Sequence, residues 1–320
     1  MLHNTSKKVV LAIGGNSLIK NSKKTPSYEE QLETVRLTCR NIAQLVKLGY
    51  KVAITHGNGP QVGDVLIRSY YTRKHLPEIS LEFANAITQG LIGYMIQLAL
   101  KNELKRLNIN KDVVTVITQV VVSKNDPAFN NFTKPIGPFY SQKEARILEK
   151  EFGWIMKEDA GRGFRRLVSS PTPKEIVEIN EIRTLLDNDT IVITCGGGGI
   201  PVINENNELK PVPAVIDKDL TSALLATLID ADLLIISTGV KNVYLNFNKP
   251  NQKPLYNLKL SQLLKYQKDN HFPEGSMGPK IQAIINFLKN NSKPKTAIIT
   301  NPENILKSLK YKNIGTKVTL

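Results

Sequence analysis

Three times in this chain a short β-branched run ends abruptly in glycine. Lys7-Lys8-Val9-Val10-Leu11-Ala12-Ile13 leads into Gly14-Gly15-Asn16-Ser17, and Lys51-Val52-Ala53-Ile54-Thr55 into His56-Gly57-Asn58-Gly59-Pro60. Thr190-Ile191-Val192-Ile193-Thr194 leads into Cys195-Gly196-Gly197-Gly198-Gly199. Longer stretches of helical period separate such runs, which is the pattern of a parallel sheet covered by helices. In an open parallel sheet, ligands bind at the carboxyl ends of the strands. Glycine there lets backbone N–H groups surround an oxyanion, and a following helix adds its positive end. A single Gly-Gly is as readily a tight turn; three loops after three strands point to phosphate. The loops match neither the dinucleotide fingerprint nor Walker A, whose nearest approach is Gly275-Ser276-Met277-Gly278-Pro279-Lys280.

The remaining pattern predicts strands at Val9–Ile13, Lys51–Thr55, Val113–Thr118, Thr190–Thr194, Leu233–Ser237 and Thr296–Ile299. Helices are predicted at Tyr28–Leu48, Gly90–Leu107, Asp219–Ile229 and Pro279–Leu288, with Pro26 and Pro279 where prolines open helices. Residues 123–170, rich in Pro, Gly, Asn and aromatics, break the rhythm and read as an inserted subdomain. A division near residue 200 would put an acceptor-side half first and a nucleotide-side half second.

At 320 residues the chain suits one large α/β domain or two modest ones. Cys39 and Cys195 are too isolated for a disulfide framework or zinc site. The first strand begins too early for a signal peptide, and no apolar run reads as long enough to span a bilayer, so the expected compartment is the cytoplasm, without a membrane partner. The net charge of +15 reads as spread along the chain. Solvated helix faces account for most of it, so nucleic acid is not the expected partner, and a basic surface would draw in ATP.

Two lysines stand in unusual company. Lys218 lies between Asp217 and Asp219 at a helix start, and Lys280 follows the glycine-rich Gly275–Pro279 approach. Lysine at a helix N-terminus opposes the macrodipole. For Lys218 either a bound polyphosphate or a surface ion pair would account for the placement; for Lys280 the approach favours phosphate. His56 reads as bonding its own loop's backbone. No His/Asp/Ser set and no metal-ligand spacing is present. Transfer of a phosphoryl group to an acceptor already anionic needs alignment and positive charge, not a base.

Taken together, these segments resemble the carbamate kinases of the amino-acid kinase superfamily over nearly the whole chain. The most specific are Thr55–Gly63, Lys124-Asn125-Asp126-Pro127-Ala128-Phe129, Lys134-Pro135-Ile136-Gly137-Pro138-Phe139-Tyr140, Gly161–Arg166, Cys195–Val202, Asp217-Lys218-Asp219 and Gly275–Lys280. The resemblance implies an open, mostly parallel α/β sheet sandwiched by helices, with a small protruding lid over residues 123–170. It implies a homodimer that transfers a phosphoryl group reversibly between ATP and carbamate, giving ADP and carbamoyl phosphate. Fermentative arginine breakdown is its usual setting.

By the same resemblance, Gly14, Gly15, Asn16, Gly57, Asn58 and Gly59 hold the carbamate and the transferring phosphoryl. Lys218 and Lys280 flank that phosphoryl, Asp219 orients the lysines, Lys124 reaches in from the lid, and Tyr244 and Met277 lie near the adenine. Mg²⁺ is expected on the nucleotide phosphates, since no carboxylate cage shows. Ser123, Phe164 and Ser169 depart from the family pattern, where an acid, a Trp and a Pro are expected. A sibling kinase with another acceptor, a non-catalytic nucleotide sensor and a basic nucleic-acid binder are the alternatives.

Overall fold

The computed structural model describes residues 7–15, 18, 26–159, 161–273, 275–290 and 293–320. Among them the largest sheet has eight strands. Their order is Asn257–Lys259, Thr316–Thr319, Thr296–Thr300, Leu233–Ser237, Lys8–Ile13, Lys51–His56, Ile191–Ile193 and Val113–Thr115. Neighbours run parallel except Thr296–Thr300 against Thr316–Thr319. All six predicted strands are in it. The four strands from before residue 200 lie together, beside the four that come after.

The helices are α1 (Tyr28–Lys47), α2 (Gly59–Thr72), α3 (Leu81–Arg106), α4 (Gln142–Phe152), α5 (Ile179–Asp187), α6 (Lys218–Leu228), α7 (Leu260–Lys268), α8 (Met277–Lys289) and α9 (Ile305–Lys310). Successive strand residues point to opposite faces, and the two faces are covered by different helices. Val10, Ala12, Leu234 and Ile236 join Ala223 of α6 and Ile284 of α8 in one core. Val9, Leu11, Ile13 and Ile235 join Ile42 of α1 and Ile96 of α3 in the other. The result is the expected αβα sandwich. Each fully buried Leu or Ile of these layers contributes about 1.5–3 kcal/mol.

Helix starts follow local chemistry. Pro26 precedes the α1 N-cap Ser27, whose Oγ accepts from the Glu30 N–H while the Glu30 carboxylate accepts from the Ser27 N–H. Pro279 is the third residue of α8 rather than its first.

Two predictions need correction. The strand from Val113 stops at Thr115, because the Thr118 N–H goes instead to Gln89 Oε1 and the chain passes into a second sheet at Gln119–Val122. Helix α3 begins at Leu81, nine residues before the predicted start. Its first turns bury Asn85, Thr88 and Gln89 and expose Phe83 and Ile87, so the apolar stripe that marks a helix is inverted there. By length and hydropathy α3 also passes as a membrane span, contrary to the sequence reading; here it is a core helix, more than half buried.

Residues 134–168 carry a sheet of their own: Lys134–Tyr140, Phe164–Val168 and Ile155–Glu158, all antiparallel. It seats on α2 where two glycines touch: a Cβ on Gly63 would lie 2.0 Å from the Gly137 Cα, and Gly137 has φ +75°. That contact decides where the first residue of the sheet, Lys134, is delivered.

Candidate active site

The carboxyl ends of the Lys8–Ile13 and Lys51–His56 strands open side by side, and Gly57 N–H donates to the Ile13 carbonyl at 3.1 Å. Gly14 packs so closely on the neighbouring strand that a Cβ would stand 2.9 Å from the Ser237 carbonyl oxygen; at Gly15 the space is open. Asn16 lies outside the described residues. Beyond Gly57 the chain enters α2, whose N-cap Asn58 does not cap it. The Asn58 amide instead donates to Asn85 Oδ1 and Thr88 Oγ1 on α3, both at 2.9 Å, and is buried. Asn58 therefore fixes the loop's shape and leaves the first N–H groups of α2 without a side-chain cap.

The third glycine loop does something different. Cys195, Gly197, Gly198 and Gly199 all have positive φ, and a Cβ on Gly197 would strike the Asn58 side chain at 2.2 Å. Gly198 and Gly199 donate back to the Cys195 and Gly196 carbonyls. This loop is a buried junction that supports the second loop, not an open cradle. His56 belongs to the same junction. It is buried, its Nδ1 lies 3.1 Å from the Gly57 carbonyl, and burial, reinforced by nearby Lys218 against the pull of that carbonyl, takes its pKa down to about 4. It is neutral at pH 7 and bonds backbone, as the sequence suggested.

Across from these loops α6 begins. Asp217 is its N-cap, accepting from the Asp219 N–H at 2.9 Å. Lys218 occupies the first helical position, its methylenes 3.6 Å from where a Gly57 Cβ would stand. Asp219 is buried and pairs with both Lys218 and Lys280, the second contact at 3.0 Å. Lys280 lies one turn into α8. Burial alone would raise the Asp219 pKa; the two ammonium groups hold it well below the usual carboxylate range. Burial draws Lys218 below its ordinary value, with Asp219 pulling the other way, whereas at Lys280 Asp219 and Asp217 outweigh burial and hold it above. The ion-pair and phosphate readings of Lys218 are thus compatible: an internal carboxylate parks the ammonium groups where phosphate oxygens can take them over.

The predicted lid lysine, Lys124, stands outside the Asp217–Asp219 cluster in this structure. Lys124 is 61% exposed and pairs with Glu205 at 3.0 Å, away from Asp219. Lys134 is the lysine that the subdomain brings to the cluster, pairing with Asp217, the carboxylate that caps α6. Burial would raise the Asp217 pKa, and Lys134 overrides it. Arg165, also from the subdomain and, like Lys134, not among the predicted site residues, places a guanidinium nitrogen 3.6 Å from where a Gly59 Cβ would be. Both residues stand in segments singled out by resemblance, but spacing alone could not say which side chain turns inward. Met277 opens α8 three residues before Lys280 and packs partly on the core. Tyr244 lies on the Val243–Leu245 strand with its ring 5.9 Å from Phe247; no direct contact joins it to the cluster among the described residues.

Two glycine loops facing two helix starts and three converging lysines suit phosphoryl chemistry. The Amino acid kinase family model matches residues 7–301. The chain belongs to the amino acid kinase family. Within that family, the carbamate kinase of Pyrococcus horikoshii is 49% identical over 98% of this chain and 99% of its own. That of Clostridium perfringens is 47% identical over 97% and 99%. The carbamate kinase of Giardia lamblia bound to AMP-PNP has a TM-score of 0.88 at 42% identity, covering 98% of both chains; the same enzyme bound to citric acid reaches 0.93 at 41%, with the same coverage. The UMP kinase of Bacillus anthracis shares only the fold, at 14% identity and a TM-score of 0.53.

Proposed function

We propose that this chain is a carbamate kinase, transferring a phosphoryl group reversibly between carbamoyl phosphate and ADP to give carbamate and ATP. The observation that carries the reading is Asp219 held between Lys218 and Lys280 opposite the glycine loops, in a chain matched end to end by carbamate kinases. In the direction of ATP synthesis, a β-phosphate oxygen of ADP attacks phosphorus in line. The P–O bond to the carbamoyl group breaks, and carbamate leaves as an anion. Neither partner needs a proton moved, which fits a site whose one buried histidine is neutral. Lys218, Lys280 and Lys134 neutralise the equatorial oxygens, and Asp219 keeps two of the ammonium groups oriented between turnovers.

Among the described residues no group of three acidic, His or Cys side chains could hold a metal, and Asp217 and Asp219 are committed to lysines. Mg²⁺ would accordingly be held by the nucleotide phosphates, where it offsets their charge. The basic excess turns out to be uneven: from Lys241 onward the acids are only Asp269, Glu274 and Glu303. Against those three acids stand fourteen lysines, so the segment from Lys241 to the end, within the nucleotide-side half, carries most of the net charge and favours the approach of ADP. Carbamoyl phosphate is a mixed anhydride, so transfer to ADP is the downhill direction, in keeping with arginine fermentation.

The test is ATP formation from ADP, Mg²⁺ and carbamoyl phosphate by the purified protein, read through a coupled assay. Rapid synthesis is expected; tight ADP binding without synthesis would instead indicate a sibling kinase or a sensor.

We further propose that the chain forms a homodimer through α3. Phe83, Ile87, Tyr94 and Leu98 form an exposed stripe beside the edge strand Val113–Thr115, with Ile117 exposed nearby. Gly90, Tyr94, Leu98, Thr115 and Ile117 line a groove of about 600 Å³ there. Sedimentation equilibrium should give about twice the 35.7 kDa chain mass, and Tyr94→Glu with Leu98→Glu should give the single chain. A monomeric parent would remove this assignment.

A further inference from the structure

Gly57 and Gly59 stand two residues apart at the end of the Lys51–His56 strand, and each has a cation against it. Lys218 is beside Gly57, and Arg165 beside Gly59, at the same 3.6 Å from the would-be Cβ atoms. Arg165 comes from the Phe164–Val168 strand of the subdomain, and its side chain is only 13% exposed. Its Nε donates to the Gly137 carbonyl at 3.0 Å, while the nearest carboxylate, on Asp159, lies at 3.4 Å from Nη1. The nitrogen nearest Gly59, Nη2, makes no hydrogen bond among the described residues. Burial draws the guanidinium below its ordinary pKa, although Asp159 opposes this.

Gly59 is also the first residue of the 14-residue helix α2, whose N-cap side chain is turned away. A largely covered guanidinium therefore turns Nη2 toward the positive end of a helix, while its carboxylate partner Asp159 sits on Nη1. Two like potentials in one desolvated spot repel, and a bound anion turns both into hydrogen-bond donors. The fork of a guanidinium matches the planar oxygens of a carboxylate, which a lysine ammonium cannot do.

We propose that Arg165 grips the non-phosphoryl end of the acceptor: the carboxylate oxygens of carbamate, or the carbamoyl oxygen of carbamoyl phosphate. Lys218, on the other side of the same two-glycine loop, takes the phosphoryl end. The pair of cations sets which way round the acceptor lies and selects a planar group of carboxylate size. This assignment rests on the phosphoryl-transfer reading above.

The experiment uses the full-length protein with Arg165→Gln and Arg165→Lys. Carbamoyl phosphate and ADP are varied separately in ATP formation, and binding of each is measured by calorimetry. The Gln variant is expected to raise KM and Kd for carbamoyl phosphate by roughly tenfold or more, leaving ADP within about twofold. The Lys variant, with charge but no fork, should fall between. An unchanged value for carbamoyl phosphate overturns the assignment. So does an equal loss for both substrates, which would make Arg165 a structural support of the subdomain. If the Gln variant does not fold, the same split in the Lys variant decides. A parent without activity would refute the carbamate kinase reading; carbamoyl phosphate binding by parent and variants still judges Arg165.

Discussion

Lys218→Ala is expected to lower the turnover of ATP formation by roughly a thousandfold or more, with ADP affinity changed far less. The asymmetry follows from where the two ammonium groups sit. Lys218 lies at the first turn of α6 against Gly57, on the acceptor side, and Lys280 lies on α8 across Asp219. Removing Lys218 takes away charge from the oxygens that become most negative in the transition state, while the helix starts that receive the nucleotide are untouched. Lys280→Ala should reduce turnover comparably but also weaken ADP. Asp219→Asn should act through both lysines, since it removes the carboxylate that orients them. In each variant Asp219 or its replacement keeps one buried partner, so circular dichroism should remain that of the parent. Lys218→Ala with near-parental turnover would mean that the ammonium is only half of a structural ion pair.

The sequence carried the fold wherever backbone and side-chain patterns coincide. Val9–Ile13, Leu233–Ser237 and Thr296–Ile299 are apolar on both faces because helices cover both faces, and they read as strands at once. The early turns of α3 hid because their work is polar: Asn85 and Thr88 hold Asn58, and Gln89 bonds Thr118 and the Gly196 carbonyl. A helix that braces a loop with amides has no apolar stripe on that side. The glycine loops were legible as a set but not singly. Nothing in the letters separates Gly57 and Gly59, which leave room for Lys218 and Arg165, from Gly197 and Gly198, which leave room for Asn58 and the Ile216 carbonyl. In the proposed reading the first pair serves a ligand, while the second serves packing.

The lid lysine shows the same limit. Lys124 and Lys134 lie ten residues apart in segments of equal specificity, and the choice between them depends on tertiary delivery. The strand Lys134–Tyr140 is fixed by the contact of Gly137 on Gly63 of α2, and its first residue is thereby carried to Asp217. Lys124 precedes that strand in a turn and meets Glu205 at the tip of the Asn206-Asn207 hairpin, where both partners are solvated. An exposed pair of this kind contributes little to stability. Two substitutions separate the alternatives.

Lys134→Ala should raise KM for carbamoyl phosphate strongly and cut turnover by roughly a hundredfold, because it removes the only lysine that the subdomain delivers among the described residues. It also leaves the α6 cap carboxylate buried with one partner fewer, so a modest loss of thermal stability should accompany it. Lys124→Ala should leave both kinetic constants within about twofold. Steady-state kinetics on the two variants, with Lys134→Arg as a charge-preserving control, decides the matter. The reverse ranking, with Lys124→Ala the damaging change, would mean that the subdomain swings by enough on substrate binding to exchange one lysine for the other. In that case the Lys134–Asp217 pair would be a latch of the ligand-free state rather than part of the reacting site.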